Sequence, residues 1–443
     1  MRRAGFSSEN RADAETGPFV FARIAAAAAF LFVAADAGAQ EVYTYALGER
    51  ASAMGGAYIA LADDASGCYY NPAGIAFAES LRFSVTGNVY GYSHIKYKNA
   101  FQVGDLSGDL ESEMYYAHPQ SFGTVYRFDA LKFEDPLPQR QAFGFSIMVP
   151  DRYVFRDLAS YRGERHQLSI SEDVQTYWFG PSYAYRLRSR LSAGATLYGL
   201  FGQENVRSNW QGEFTDEDLS FLDGRMDIGS YYEENRTTFG ILLLGGLLYA
   251  PQPWRLGLVA RTPSTQLFGK GDATNNSFLG YQTSHASDQD YVKFEPKRED
   301  PWLVGGGLAY ERPQQFTLSA DALYTGGLSY DDADKEEAAS RVKLNPVTNV
   351  RAGAEYYVSP VVPLRAGFFT NFAKEDPDNE DSGPVLDLYG VTAGAGVQHR
   401  QFTMAFAVNY VFGSGHAWVT ALREKRRHRR RRRRTHRRRR GNH

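Results

Sequence analysis

Asp63 and Asp64 stand side by side in a stretch of small residues, 48–77, that reads GERASAMGGAYIALADDASGCYYNPAGIAF. A carboxylate pair of this kind has three uses. It caps a helix start by accepting backbone N–H bonds, it pairs with guanidinium groups, or it touches a bound substrate. The same stretch ends in Asn71, Pro72, Ala73 and Gly74. Asn and Pro favour turn geometry and Gly permits positive φ, so these four residues read as a tight turn. Catalytic arrangements are missing from the pattern. His94, His118, His166 and His285 are scattered without metal-ligand spacing. There is no G-x-S-x-G elbow, and no Lys-Ser/Thr follows Gly55-Gly56 or Gly245-Gly246 to make a phosphate loop. The expected chemistry is charge pairing, with no enzyme activity, no cofactor and no metal centre.

The partners for such pairing lie further along the chain. From Leu81 onward the sequence becomes short alternating runs rich in Tyr, Phe and Gly. In the run 402–412, Phe402, Met404, Phe406, Val408, Tyr410 and Phe412 alternate with smaller or polar residues. Successive strand side chains point to opposite faces, so one face is wholly apolar. The runs 177–187, 254–261, 350–358 and 364–370 repeat the pattern. On their second faces they carry Arg186, Arg255, Arg261, Arg351, Glu355 and Arg365. A dry sandwich core would have to bury these charges at several kcal/mol each. The wet lumen of a wide membrane barrel accepts them, and there they would pair with Glu355 and the aspartates.

Other strand candidates are 81–92, 121–128, 140–153, 190–203, 237–249, 302–311, 315–324 and 386–399. Short turns join some of them, and long polar segments at 96–120, 208–235, 270–290, 327–343 and 373–383 read as loops. That asymmetry is typical of outer-membrane barrels. About 12 to 14 strands are expected, and antiparallel closure favours the even number, 14.

The 443 residues carry a net charge of -2, and 14% are aromatic, enough to supply girdles at two membrane interfaces. The longest apolar run of the mature chain, 241–250, is far short of the ~20 residues of a spanning helix. Residues 24–35 are an apolar run preceded by Arg23, and Ala37-Gly38-Ala39 is a cleavage pattern, so 1–39 reads as an export signal. Its long, partly acidic start suggests a start codon assigned too far upstream. Cys68, the single cysteine, cannot form an intramolecular disulfide and reads as a small buried residue. At the other end, 413–443 reads as a disordered arginine-rich tail. It serves as a lipid-surface tether or is the product of a shifted reading frame.

The Asn71-Pro72-Ala73 turn after a Gly/Ala-rich segment resembles the FadL-like outer-membrane transporters. So do RLGLVARTPSTQLFGKG at 255–271 and the runs VRAGAEYYV, PLRAGFF and YGVTAGAGV near the end. The resemblance implies an all-β chain. It would be a transmembrane antiparallel β-barrel of about 14 strands over 81–412, with an N-terminal hatch, 40–80, inside the lumen. Asp63, Asp64, Asn71, Pro72, Ala73 and Gly74 would then hold and gate the hatch. The implied function is passive uptake of hydrophobic molecules, such as long-chain fatty acids or aromatic hydrocarbons, by a monomer in the bacterial outer membrane. Its partners would be the substrate and membrane lipid, without nucleic acid. Two rivals are a barrel of the same fold serving as a secretion adaptor or surface shuttle, and a soluble exported β-sandwich or propeller. The family normally ends its last strand, and its chain, on an aromatic residue; here Phe412 has that place but the chain runs on to His443.

Overall fold

The computed structural model describes residues 47–78, 81–103, 106–128, 140–161, 166–215, 224–281, 284–334, 340–379, 385–398 and 403–416. The export-signal reading, Phe402 and residues 417–443 lie outside them. What is described is nearly all antiparallel strand. The strands are β1 (Leu81–Val103), β2 (Leu106–Phe128), β3 (Gln141–Tyr161), β4 (His166–Arg188), β5 (Leu191–Phe214) and β6 (Met226–Tyr249). Next come β7 (Trp254–Arg261), β8 (Thr265–Tyr281), β9 (Ser284–Phe294), β10 (Leu303–Arg312), β11 (Phe316–Thr325), β12 (Leu328–Asp331) and β13 (Arg341–Leu344). The series ends with β14 (Val347–Ser359), β15 (Val362–Asn371), β16 (Val385–Gln398) and β17 (Thr403–His416).

One hydrogen-bonded path runs β1-β2-β3-β4-β5-β6-β7-β10-β11-β14-β15-β16-β17. Each step is antiparallel, and each of the 13 strand candidates falls on this path. Among the described residues this path has 13 strands, an odd number, so β1 and β17 run in the same direction. β17 also continues past Phe412 to His416, so the tail reading began too early at 413.

The alternating faces are as expected. Met404, Phe406, Val408, Tyr410 and Phe412 are all exposed, as are Trp254, Leu256 and Leu258. Their neighbours Arg255 and Val259 are buried on the opposite face. A large sheet that exposes its apolar face and buries its charges is inside out for a water-soluble protein. It suits a wall between lipid and a polar interior.

The long segments differ from expectation. Most of 96–120, 208–235 and 270–290 continue as strands, so that β5 pairs with β6 without a break from Leu191↔Tyr249 to Phe214↔Met226. Backbone hydrogen bonds propagate a ladder whatever the side chains. The alternation read from sequence is sharpest where the outward face meets an apolar medium, and it fades in these reaches, whose outward residues are largely polar while the inward face keeps Leu110, Phe214, Met226 and Ile228. Residues 327–343 likewise hold the small hairpin β12–β13. Its Asp332 accepts a hydrogen bond from Arg236 of β6 at 2.8 Å, which draws the hairpin toward the inner face of the wall.

Substituting Phe406 or Tyr410 by Arg places a charge on the outward face, at ~2–4 kcal/mol where that face meets the bilayer midplane. Arg at Ala405 or Asn409 is expected to be tolerated. Heat-modifiable migration on a gel reports the folded sheet. Equal loss at both pairs of positions would overturn the face assignment.

Candidate functional site

Residues 47–78 fold into two short helices, α1 (Glu49–Ala53) and α2 (Gly67–Tyr70), and a 3-10 turn at Pro72–Phe77. Almost all of the segment is buried, including Met54, Tyr58, Ile59, Leu61 and Ile75. It packs on the inward face of strands from β2 to β17, so the sheet curves around it. The wall yields space for this with glycine. A Cβ on Gly246 would lie 2.1 Å from Asn71 Oδ1, on Gly257 2.4 Å from Ile59 O, and on Gly367 2.2 Å from Gly55 N. Gly194, Gly353 and Gly394 face the segment just as closely. Backbone therefore meets wall directly over β5, β7, β14 and β15, and the side chains of Asn71 and Ala53 meet it at β6 and β16. Gly55 and Gly56 turn the segment with φ of +64° and +75°, a region other residues enter at a cost.

Asn71 holds the turn and the wall together. Its Oδ1 accepts from Ala73 N at 3.1 Å. Its Nδ2 donates to Ile59 O at 2.9 Å and to Leu247 O of β6 at 3.0 Å. Pro72 opens the 3-10 turn, and Ala73 O accepts from Ser192 Oγ at 2.7 Å. Gly74 is required by close approach: a Cβ there would sit 1.9 Å from Ala62 O.

The two aspartates divide the expected roles. Asp64 works locally, accepting from Ser66 N at 2.8 Å and from Tyr58 Oη at 2.9 Å. Asp63 faces the wall and meets Arg255 Nη1 at 2.9 Å. From there a chain of alternating charges crosses the interior. Arg255 reaches Glu311 at 2.8 Å. Arg50, on α1, meets Glu311 at 3.2 Å, Glu355 at 2.8 Å and Asp63 at 3.7 Å. Glu355 also meets Arg365 at 2.7 Å, and both those side chains are fully buried. Three arginines and three carboxylates thus cancel. Each carboxylate oxygen already faces a guanidinium, so the cluster suits pairing and leaves no oxygen for a metal. Burial alone would lower the pKa of Arg50, but Glu355 and the other anions around it raise it well above the ordinary value. Its charge is permanent.

The remaining predicted charges are placed as follows. Arg186 donates to Ala76 O at 2.6 Å and covers the Phe77 ring at 4.6 Å. Arg351 donates to Gly56 O at 3.4 Å. Arg261 does not reach the N-terminal segment. It donates to Pro301 O at 3.3 Å and lies over the Trp178 ring at 5.4 Å.

Arg50, Glu311 and Asp321 were missed from sequence. Asp321 Oδ2 accepts from Tyr58 N at 2.6 Å and Ile59 N at 2.9 Å. The period-2 rule applied to 302–311 and 315–324 finds both acids, since Glu311 shares a face with Ala309, and Asp321 with Thr317 and Ser319. The segment also packs with the wall in an apolar cluster in which Trp178, Tyr198, Leu200, Leu242 and Leu244 are buried and Tyr69, Leu303 and Leu323 are partly buried.

A model of the family described as outer membrane protein transport protein (OMPP1/FadL/TodX) matches residues 28–426. No curated protein sequence matches the chain. Among solved structures, the Pseudomonas putida toluene transporter TodX aligns with a TM-score of 0.58 and 16% identity, over 84% of this chain and 98% of that one. The Ralstonia pickettii toluene transporter TbuX aligns at 0.53 and 16% identity, over 85% and 99%. A Pseudomonas aeruginosa FadL homologue aligns at 0.53 and 15% identity, over 84% and 90%. At these identities the likeness is one of fold.

Among the described residues Glu355 is the one hydrogen-bonding partner of Arg365. Replacing Glu355 by Gln is therefore expected to destabilise the fold by about 3–5 kcal/mol, as when one partner of a buried pair is removed. Adding Arg365→Met should recover part of the loss. Thermal unfolding followed by gel migration measures both, and an unchanged midpoint in Glu355→Gln would refute the pairing role. Burial pushes the Cys68 thiol up to about 11, with hydrogen bonds to Ser182 and Ser146 opposing the shift. A raised thiol pKa favours the neutral form. The stability it confers is present below the ordinary thiol value of ~8.5 and is lost as pH rises toward the folded value. Cys68 should resist maleimide at pH 7 in the native protein and react after denaturation, as mass spectrometry would show.

Proposed function

The chain belongs to the outer membrane protein transport protein family, and from that premise we propose that it is a plugged β-barrel for passive uptake of hydrophobic molecules across the bacterial outer membrane. Residues 40–80 act as the hatch and 81–416 as the wall. Fatty acids and aromatic hydrocarbons are the substrate classes proposed. The observation that carries this reading is the seating of residues 47–78 against the inner face of the wall. A solid segment in that place stops free diffusion of ions. It leaves a route along its own boundary with the wall.

That boundary is lined on one side by Tyr69, Trp178, Leu200, Leu242 and Leu244. Such a surface binds apolar solutes by removing them from water, at about 25 cal/mol per Å² buried. The paired charges hold the hatch in register while the apolar patch takes the solute. The wall itself must close, because an unpaired strand edge in hydrocarbon costs several kcal/mol per backbone group. With β1 and β17 running in the same direction, closure needs either a parallel seam between them or one further strand.

The test removes residues 40–78 and measures conductance in planar bilayers together with uptake of a labelled fatty acid and of labelled toluene. Ion leak in the truncated protein is expected, with uptake of at least one probe in the intact chain. A closed baseline after truncation would remove the hatch assignment. Absence of uptake of either probe by a folded intact protein would favour the secretion-adaptor role instead.

A further inference from the structure

We propose that His94, Glu111 and Glu113 form a binding site for a divalent transition-metal ion of the zinc class on the outward face of β1 and β2. The three residues are far from the charged interior and take no part in seating the hatch. Strand register brings them together. His94 lies directly opposite Glu113, and Lys96 opposite Glu111, so Glu111 is the diagonal neighbour of His94. Cross-strand neighbours on one face have Cβ atoms within about 4.5–8 Å, close enough for His and Glu to converge on one point. Their face is the outer one: all three are exposed, whereas Ile95, Leu110 and Ser112 between them are buried on the other side.

The ligand atoms fit a metal. One atom each from His94, Glu111 and Glu113 lies within 4.8 Å of the other two. Ligands about 2.0–2.1 Å from a tetrahedral zinc ion sit roughly 3.3 Å apart, so small rotations of exposed side chains complete the geometry. Nε2 of His94 is 2.7 Å from Glu111 Oε1. The other oxygen of Glu111 is engaged by Lys96 Nζ at 3.1 Å, which orients the carboxylate and leaves Oε1 toward the imidazole. Tyr92 Oη donates to Glu113 Oε1 at 3.2 Å and fixes the second carboxylate in the same way. Such outer hydrogen bonds hold ligating side chains in place in metal sites. Nearby charges are mixed, with Asp109, Glu111 and Glu113 sharing the outward face with Lys96 and Lys98, so the ligand set and not the net charge would select the ion.

One nitrogen and two carboxylate oxygens suit zinc or its neighbours better than calcium or magnesium, which prefer all-oxygen shells. Three protein ligands leave a fourth position open outward. The site stands just beyond the exposed rings of Tyr90, Tyr92 and Tyr115, which pack together at 5.0–5.7 Å. An ion there would clip β1 to β2 at the outer margin of the aromatic belt.

The full chain, purified in detergent without a polyhistidine tag, is titrated with zinc alone by calorimetry, and gel migration checks that each variant folds. The expected result is one equivalent that weakens at least about tenfold in His94→Ala and in Glu113→Gln. The proposal is overturned if that equivalent is absent from the unaltered chain, or if it survives in both ligand variants. Loss in His94→Ala alone would equally overturn the three-ligand site. The other histidines of the chain are present in every variant, so they cancel from the comparison.

Discussion

The most deeply buried arginines of this protein are met there by carboxylates, and that pairing organises the interior. Arg50 reaches Glu311 and Glu355 from the N-terminal segment, and Arg255 reaches Asp63 from the wall. Each side is neutral by count, but its charges find their short-range partners across the boundary. The N-terminal segment contributes Arg50 and Asp63, and the wall contributes Arg255, Glu311, Glu355 and Arg365. Because buried pairs gain little over an apolar core, the benefit is one of position. Only one placement of the segment cancels all six charges at once.

Packing enforces the same placement by other means. Inward glycines at 194, 257, 353 and 367 let main chain touch main chain, and those at 246 and 394 admit the side chains of Asn71 and Ala53. A side chain at any of them would push the segment off the wall and lengthen the ion pairs. Charge sets the register and glycine sets the distance. Asn71 joins the two, since its amide bonds to the segment and to β6 while Gly246 makes room for it.

Much of this was legible in the sequence where an apolar medium wrote a pattern into it. The strand cores were found because alternate residues differ so sharply, as in Met404 against Thr403 and Trp254 against Arg255. The inward arginines followed from the same alternation. The outer reaches of β1, β2, β5, β6, β8 and β9 were read as loops because their outward residues are largely polar, although apolar residues such as Leu110, Phe214, Met226 and Ile228 line the inward face. Their strand character comes from neighbouring backbone, which sequence periodicity does not record. Arg50 was missed for a different reason: a single arginine among alanines carries no sign of partners on β10 and β14. Its role is a property of the folded arrangement alone. The diagonal approach of His94 to Glu111 was hidden in the same way, by a register no spacing rule contains.

The spacing of the paired residues along the chain gives the interior charges a further meaning. The closest carboxylate partner of Arg50 is separated from it by 305 positions. Contacts so distant in the chain form late, because their loop-closure entropy must be met first. Collapse of the N-terminal segment onto the first strands alone would bury Arg50 before Glu311 and Glu355 are in place. The incompletely paired charge disfavours that premature state. The pairs that secure the finished molecule thus also weigh against a collapse that leaves them unmade.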